Sequence, residues 1–184
     1  MGSRLNFTPL QAHQPGILHS LLSRSYQELV EMFPEGWTGE VERMREFDRE
    51  AFGSPDKVGR CVFVTCVGGE PIGLGSYEPC ADGSAASVGH NCILPEFRRR
   101  GYGRRQLEEI VRRLREHRVE RIAATTSEHP FFLPAREMYL SFGFAETGRR
   151  DGGPDPGFRL VDYELDLVHE LPVPELDACD VDEL

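Results

Sequence analysis

The sequence lacks the features that mark several large classes of protein. No apolar run approaches the roughly 20 residues that a membrane span needs, and no signal-peptide pattern opens the chain, so we expect no membrane association. The five cysteines are odd in number, scattered and without a C-x-x-C pair, which predicts neither a zinc or other metal site nor a disulfide scaffold. These absences favour a cytoplasmic protein in a reducing compartment.

The charge balance also argues against nucleic acid as a partner, because acidic residues outnumber basic ones by 31 to 21 and the net charge is −10. This acidity serves solubility, which is the simpler explanation, and it would also attract cationic amines over a distance. The arginines are concentrated in residues 98–121. We expect those in the first helical turn of this segment to meet an anionic ligand and the others to form a solvated helix face.

A chain of 184 residues is long enough for one domain with a full core. We expect this domain to cover residues 1–168, followed by a loosely held acidic tail over residues 169–184. Cys61, Cys66 and Cys92 fall in strand patterns and are expected to be small buried side chains.

The spacing of apolar residues alternates between the helical and the strand repeat. Helices are predicted at residues 15–32, 38–52, 101–118 and 133–142, with a turn-rich break at residues 33–37 and Thr38 as an N-cap of the second helix. Strands are predicted at residues 5–9, 60–67, 72–78, 87–94 and 119–125, after Gly143, and at residues 158–167. This order predicts an α/β fold in which helices cover both faces of a mixed sheet.

A turn rich in arginine and glycine joins a predicted strand to a predicted helix at residues 98–103. The N-terminus of a helix offers unpaired N–H groups and positive potential, and Gly101 and Gly103 would let a phosphate approach the backbone. The Lys-Ser/Thr pair of a P-loop is absent, and a dinucleotide fingerprint would need glycine where Gln106 stands. A pyrophosphate fits best, although an arginine-rich helix start is also common on a plain solvated surface.

Two motifs resemble those of the GNAT superfamily of N-acetyltransferases. The first is Arg98-x-x-Gly101-x-Gly103, which resembles the acetyl-CoA signature, and the second is Ala135-x-x-x-Tyr139-x-x-x-Gly143-Phe144. The resemblance covers roughly residues 60–167. It implies the acyl-CoA N-acyltransferase fold, a mostly antiparallel mixed sheet of six to seven strands flanked by helices. In that fold two parallel strands, here those ending at residues 94 and 125, splay apart to admit the cofactor.

The resemblance implies acetyl-CoA as co-substrate and an amine of a small molecule or peptide as acceptor. The implied contacts to acetyl-CoA lie at the end of the strand and in the loop that follows it. These are Cys92, Ile93, Leu94, Arg98, Arg99, Arg100, Gly101, Tyr102, Gly103 and Arg104. The non-catalytic alternative is a sensor or interaction module that keeps an acyl-CoA cleft. Dimers are frequent among relatives, so the resemblance allows a homodimer.

The resemblance also implies catalytic roles. Tyr139 holds the position of the general acid that protonates the leaving thiolate, although in isolation it would pass as a core aromatic. A backbone N–H near Cys92 or Ile93 would stabilise the oxyanion. Many relatives carry a glutamate base where this chain has Val88. Strand alternation predicts that His90 points to the same face, where it would be either the base or a hydrogen-bonded structural histidine.

Further candidates lie near these positions. Glu128 and His129 are second candidates for the base, and a surface position is the stronger expectation for both. Phe33, Trp37 and Phe131 are candidate acceptor contacts, although Phe33 and Trp37 fit an apolar hinge packed on the core equally well. Many relatives have a cofactor-binding asparagine where this chain has Phe132, and we expect Phe131 and Phe132 to pack instead beside the acyl or acceptor pocket.

Overall fold

The computed structural model describes residues 4–80 and 83–167. Both Cys179 and the tail predicted at residues 169–184 lie outside these residues. The helices are α1 (Ile17–Met32), α2 (Pro34–Gly53), α3 (Tyr102–Glu116) and α4 (Leu133–Phe142). The strands are β1 (Leu5–Pro9), β2 (Val62–Val67), β3 (Glu70–Pro79), β4 (Ala85–Ile93), β5 (Arg121–Ser127), β6 (Ala145–Arg150) and β7 (Leu160–Asp166).

The strands form one sheet in the order β1-β2-β3-β4-β5-β7-β6. Among the described pairings, β4 with β5 is parallel and the others are antiparallel. The predicted mixed, mostly antiparallel sheet is therefore confirmed. No helix in the described part of the chain is long and apolar enough to cross a membrane.

The break predicted between the first two helices is shorter than the sequence indicates. Helix α2 begins at Pro34, directly after Phe33, because the first turn of a helix tolerates a residue without an N–H group. The prediction of Thr38 as an N-cap was wrong, since Thr38 lies inside α2 and its hydroxyl donates to the carbonyl of Pro34 at 2.6 Å. Trp37 thus belongs to a helix, whose geometry directs its side chain inward.

Helix α2 also caps the start of α1. The carboxylate of Asp48, which is 7% exposed, accepts hydrogen bonds from the N–H groups of Gly16 at 2.8 Å and Leu18 at 2.9 Å. These N–H groups have no partner inside the helix, so the bonds tie the two helices together. The pair α1–α2 is therefore fixed as a unit over one face of the sheet.

Two apolar clusters lie on opposite faces of the sheet. The first packs α3 and α4 on one face and includes Leu107, Ile110 and Tyr139. The second packs α1 and α2 on the other face and includes Leu18, Trp37, Met44, Cys66 and Cys92. The predicted burial of Cys61, Cys66 and Cys92 is confirmed.

Strand β4 contains a bulge that reverses which face its side chains meet. Gly75 pairs with Asn91 and Tyr77 pairs with Val88, so one residue of β3 faces two residues of β4. Before the bulge, even-numbered Val88 packs in the cluster under α3 and α4. After it, even-numbered Cys92 packs in the cluster under α1 and α2.

Candidate functional site

The parallel strands β4 and β5 separate along their length and open a cavity. Their pairing runs from Ala85 opposite Arg121 to Ser87 opposite Ala123 and then ends in the described chain. Beyond this point lies a cavity of about 480 Å³, a size that suits a small molecule. It is lined by residues 89–91 of β4, residues 125–127 of β5, and side chains of α1, α2 and α4. The predicted splay is therefore confirmed.

Tyr139 lies at the inner wall of this cavity. Its side chain is 5% exposed, and its ring packs against Phe144 at 5.2 Å and Tyr163 at 5.6 Å between ring centroids. Burial raises the pKa of the Tyr139 phenol to about 12, and the adjacent Asn91 amide partly offsets the rise. The phenol is therefore protonated at physiological pH and can donate a proton. Tyr139 is both a core aromatic and a cavity residue, so the two interpretations of its motif do not exclude each other.

A buried polar network holds Asn91 beside Tyr139, and the sequence analysis did not single it out. The Gln106 amide nitrogen donates to Asn91 Oδ1 at 2.6 Å and to the Leu74 carbonyl at 2.7 Å. Gln106 is fully buried, and its Oε1 accepts from the Thr65 hydroxyl at 2.5 Å. The sequence signal for this network was Gln106 itself, a polar residue next to Leu107 on the face of α3 that the apolar spacing predicts to be buried.

His90 lines the cavity but does not share a face with Val88. The prediction that His90 shares a face with Val88 was wrong, because the bulge in β4 lies between the two residues and turns His90 towards α2. There its ring lies 4.8 Å from that of Phe47. Burial lowers the pKa of His90 to about 4, so the imidazole is neutral near pH 7. A neutral imidazole can accept a hydrogen bond, but it is a weak proton acceptor at this pKa.

The register of β3 and β4 distinguishes the two candidate oxyanion donors. The Leu94 N–H donates to the Ile72 carbonyl of β3 at 2.8 Å. Cys92 lies two residues earlier and pairs with Leu74, so its N–H also faces β3. Because backbone groups alternate sides along an antiparallel strand, the N–H of Ile93 points to the opposite edge, towards the gap beside β5. Of the two, Ile93 rather than Cys92 therefore turns its N–H towards the gap between β4 and β5. The Leu94 carbonyl is also paired, with the N–H of Phe97 at 2.9 Å.

The predicted phosphate loop leads from β4 into the N-terminus of α3. Gly101 has a φ of 81°, a left-handed conformation that favours glycine, and forms the N-cap. The first hydrogen bond of the helix runs from Arg105 N–H to the Gly101 carbonyl at 3.1 Å. The N–H groups of Tyr102, Gly103 and Arg104 therefore have no helical partner and can donate hydrogen bonds to an anion.

Gly103 faces Ile93 and α4. A Cβ added there would lie 3.7 Å from the sulfur of Met138 and 4.0 Å from Cγ1 of Ile93. These are ordinary contacts, so packing alone does not require glycine at this position. The absence of a side chain at Gly103, close to Ile93 at the end of β4, leaves the backbone there accessible to a ligand.

The arginines of the loop are used in different ways. Arg98 donates to the carbonyls of Ile93 at 2.9 Å and Ser25 at 2.5 Å, so its guanidinium braces the end of β4 against α1. Arg100 donates to the Glu96 carbonyl at 3.0 Å. Arg104 lies 3.4 Å from the carboxylate of Glu108 and 5.4 Å from the ring centroid of Phe142. Arg99 has a φ of 59°, and its contact with phosphate stays a prediction, as do those of the other arginines.

The three predicted acceptor contacts occupy different places. Trp37 lines the cavity, and its ring lies 5.4 Å from that of Tyr26. Phe33 packs instead against His129 at 5.4 Å, and Phe131 packs under the guanidinium of Arg98 at 5.0 Å. Of the two phenylalanines expected beside the pocket, Phe132 lines the cavity and Phe131 does not.

Glu128 and His129, the second candidates for the base, make contacts outside the cavity. Hydrogen bonds from Arg159 and Arg149 lower the pKa of Glu128 to about 2. The expected surface position of His129 was wrong, because it is 7% exposed and packs between Phe33 and Phe158. Its Nδ1 accepts from the N–H of Phe131 at 3.1 Å. His129 thus shapes the turn before α4.

The comparisons with known proteins agree with this geometry. Residues 22–144 match the model of the acetyltransferase (GNAT) family. A GNAT-family protein from Desulfovibrio desulfuricans superposes with a TM-score of 0.68 at 17% identity, covering 89% of this chain and 98% of that one. An N-acetyltransferase from Staphylococcus aureus gives 0.68 at 14% identity, covering 89% and 99%.

A third solved structure, yncA from Salmonella typhimurium with its cofactor acetyl-CoA, gives a TM-score of 0.62 at 17% identity, covering 95% of this chain and 99% of that one. Among curated proteins, none matches this chain. At these identities the solved structures show the fold alone, and that fold is the one expected from the two motifs.

Proposed function

Since the chain belongs to the acetyltransferase (GNAT) family, we propose that it transfers an acetyl group from acetyl-CoA to an amine of a small molecule or peptide. The observation that carries the proposal is the position of Tyr139, a buried protonated phenol in the cavity between the separated strands β4 and β5. A proton donor at this point is what the departure of a thiolate from a thioester requires.

The residues present fit acetyl-CoA. The pyrophosphate would lie on the N–H groups of Tyr102, Gly103 and Arg104, and the positive end of α3 favours its charge. The amide-rich pantetheine arm would enter between β4 and β5, where the strands leave backbone groups without a partner from each other. The thioester would then reach the cavity that Tyr139 lines.

The reaction that we propose is direct attack. The amine nitrogen forms a bond to the thioester carbon, and the N–H of Ile93 stabilises the resulting oxyanion. The carbon–sulfur bond then breaks, and the leaving thiolate takes the phenolic proton of Tyr139. The attacking nitrogen releases a proton to solvent, and solvent returns a proton to the Tyr139 phenolate. The products are therefore an amide and a free thiol. Burial raises the proton affinity of the thiolate as well as that of the phenol, which keeps the transfer feasible.

His90 has a subordinate part in this scheme. With a pKa of about 4 it cannot hold a proton taken from an ammonium ion near pH 7. We propose that its neutral imidazole accepts a hydrogen bond from the incoming amine, which enters as the free base or loses its proton to water. His90 would orient the lone pair of the amine towards the thioester.

The test is calorimetric titration with acetyl-CoA and with desulfo-CoA, followed by measurement of thiol release with a panel of amines. Saturable binding of both nucleotides and amine-dependent thiol release are the expected results. Binding without release for any amine would favour a non-catalytic acyl-CoA-binding module. A folded protein that binds neither nucleotide would overturn the proposal.

A further inference from the structure

The loop between β6 and β7 closes one side of the cavity by packing on the first turn of α2. A Cβ added at Gly36 would lie 2.1 Å from the carbonyl oxygen of Pro154, so only glycine permits this approach. The adjacent Trp37 donates from its indole Nε1 to Oδ1 of Asp155 at 2.9 Å. Two neighbouring contacts thus fix the loop, and Pro154, Asp155 and Leu160 become part of the cavity wall.

In this wall, only one of the two carboxylate oxygens of Asp155 has a hydrogen-bond partner among the described residues. The residue is 3% exposed, and its Oδ2 has no hydrogen-bond partner among the described residues. Burying a carboxylate oxygen without a donor is costly, and such groups in folded proteins usually meet a cation or a hydrogen-bond donor. The indole of Trp37 fixes Oδ1, so the orientation of the carboxylate is set before any ligand arrives.

The other charges at the cavity favour the same kind of ligand. Four carboxylates line it, those of Glu40, Glu46, Glu50 and Asp155, against one guanidinium, that of Arg43. The Arg43 guanidinium is already paired, because it donates through two nitrogens to the two carboxylate oxygens of Glu40. The potential in the cavity is therefore negative, which concentrates cations and disfavours anionic acceptors.

We infer that Oδ2 of Asp155 binds a second cationic group of the acceptor, so that the substrates are amines that carry another ammonium or guanidinium group. This inference rests on the proposed acetyl transfer and specifies its acceptor class. The bound cation differs from the reacting nitrogen, because contact with a carboxylate stabilises the ammonium form and would oppose the attack. Asp155 thus holds one end of the acceptor while the uncharged end meets the thioester.

The experiment compares matched acceptors in the wild-type protein and in Asp155→Asn. Putrescine and cadaverine carry a second ammonium group, n-butylamine and n-pentylamine lack it, and aminobutanol replaces it with a neutral hydroxyl. Asparagine keeps the acceptor for Trp37, so the variant should fold. Asp151→Asn, an exposed position on the same loop, removes the same charge and is the matched control.

We expect the wild-type protein to prefer each diamine over its monoamine and over aminobutanol by about 10- to 100-fold in kcat/KM, the range for a hydrogen bond to a buried charge. Asp155→Asn should remove most of this preference, mainly through KM, whereas Asp151→Asn should keep it. Calorimetric binding of putrescine in the presence of desulfo-CoA should show the same dependence on Asp155.

Two outcomes would overturn the inference. One is a wild-type protein that does not distinguish diamines from monoamines in turnover or in binding, and the other is an Asp155→Asn protein that keeps the distinction. Failure of the proposed function looks different, since acetyl-CoA would then not bind or no amine would release thiol. If acetyl-CoA binds but putrescine shows no Asp155-dependent binding, the inference fails and the cofactor cleft stands.

Discussion

The amide of Gln106 donates a hydrogen bond to Oδ1 of Asn91 at 2.6 Å, joining α3 to the part of β4 that lies beyond its bulge. The same amide nitrogen donates to the carbonyl of Leu74, and Oε1 of Gln106 accepts from Thr65. One fully buried side chain therefore links three strands and positions the residue next to the Tyr139 phenol.

Replacing Gln106 with leucine should destabilise the protein by about 1–3 kcal/mol, because buried partners on Thr65, Leu74 and Asn91 lose hydrogen bonds. Urea unfolding should show a lower midpoint with an unchanged slope. Adding Thr65→Val should recover part of the loss, since it removes one of the orphaned groups. Glu108→Gln, on the exposed face of α3, is the control and should change little. Equal stability in Gln106→Leu and wild type would contradict the network.

Replacing Tyr139 with phenylalanine should lower kcat by about 10²- to 10⁴-fold, the usual range for loss of a general acid. The affinity for acetyl-CoA should remain nearly unchanged, because the ring and its packing on Phe144 and Tyr163 are kept. Stopped-flow thiol release and calorimetry measure the two quantities. Tyr163→Phe removes a neighbouring phenol and should keep activity. A Tyr139→Phe enzyme with normal turnover would show that another group protonates the thiolate.

The fold could be predicted well from the sequence because the patterns that indicate it lie within short stretches of the chain. Apolar periodicity located the four helices and the strands, and two short motifs predicted the separated pair β4–β5. The observed ends of helices and strands differ from the predicted ones where hydrogen bonds in turns end an element early. For instance, α3 ends at Glu116 rather than at residue 118, and β5 begins at Arg121 rather than at Val119, whose N–H bonds to the carbonyl of Leu114.

The candidate site was less predictable because it depends on long-range contacts. A bulge is set by the pairing of two strands, so strand alternation alone placed His90 on the wrong face. Asp155 lies in a loop rich in glycine and proline, and nothing local connects it to Trp37, which is 118 residues away in sequence. Phe131 and Phe132 are adjacent in sequence, but Phe131 packs under Arg98 and Phe132 lines the cavity, a difference that the sequence does not encode locally.

Replacing Gly103 with glutamate should weaken acetyl-CoA binding by about tenfold or more. A carboxylate at the first turn of α3 would repel the pyrophosphate and cover the N–H groups expected to bind it. Folding should be little affected, because a Cβ at Gly103 meets only ordinary contacts. Gly148→Glu, at an open position of β6, adds the same charge elsewhere and is the control. Unchanged affinity in Gly103→Glu, measured by calorimetry, would exclude this turn as the phosphate site.

Stability should fall as the pH is lowered, because burial lowers the pKa of His90 from 6.5 to about 4. Between these values the unfolded chain binds a proton that the folded protein excludes, so stability rises with pH across this window. The contribution of His90 is fully present above pH 6.5 and is lost as the pH falls towards 4, at a total of roughly 3 kcal/mol. Urea unfolding at several pH values measures this slope.

His90→Gln should flatten most of the slope, since glutamine does not titrate. The replacement also loses ring contact with Phe47, but that loss is the same at every pH and cancels when the slopes are compared. His13→Gln is the comparison variant, because burial also lowers the pKa of His13, which is not among the residues that line the cavity. If His90→Gln keeps the wild-type slope, the pKa of His90 is not lowered in the folded protein. His90 would then titrate like an ordinary imidazole and could take the proton of the amine, so its proposed part as a neutral hydrogen-bond acceptor would fail.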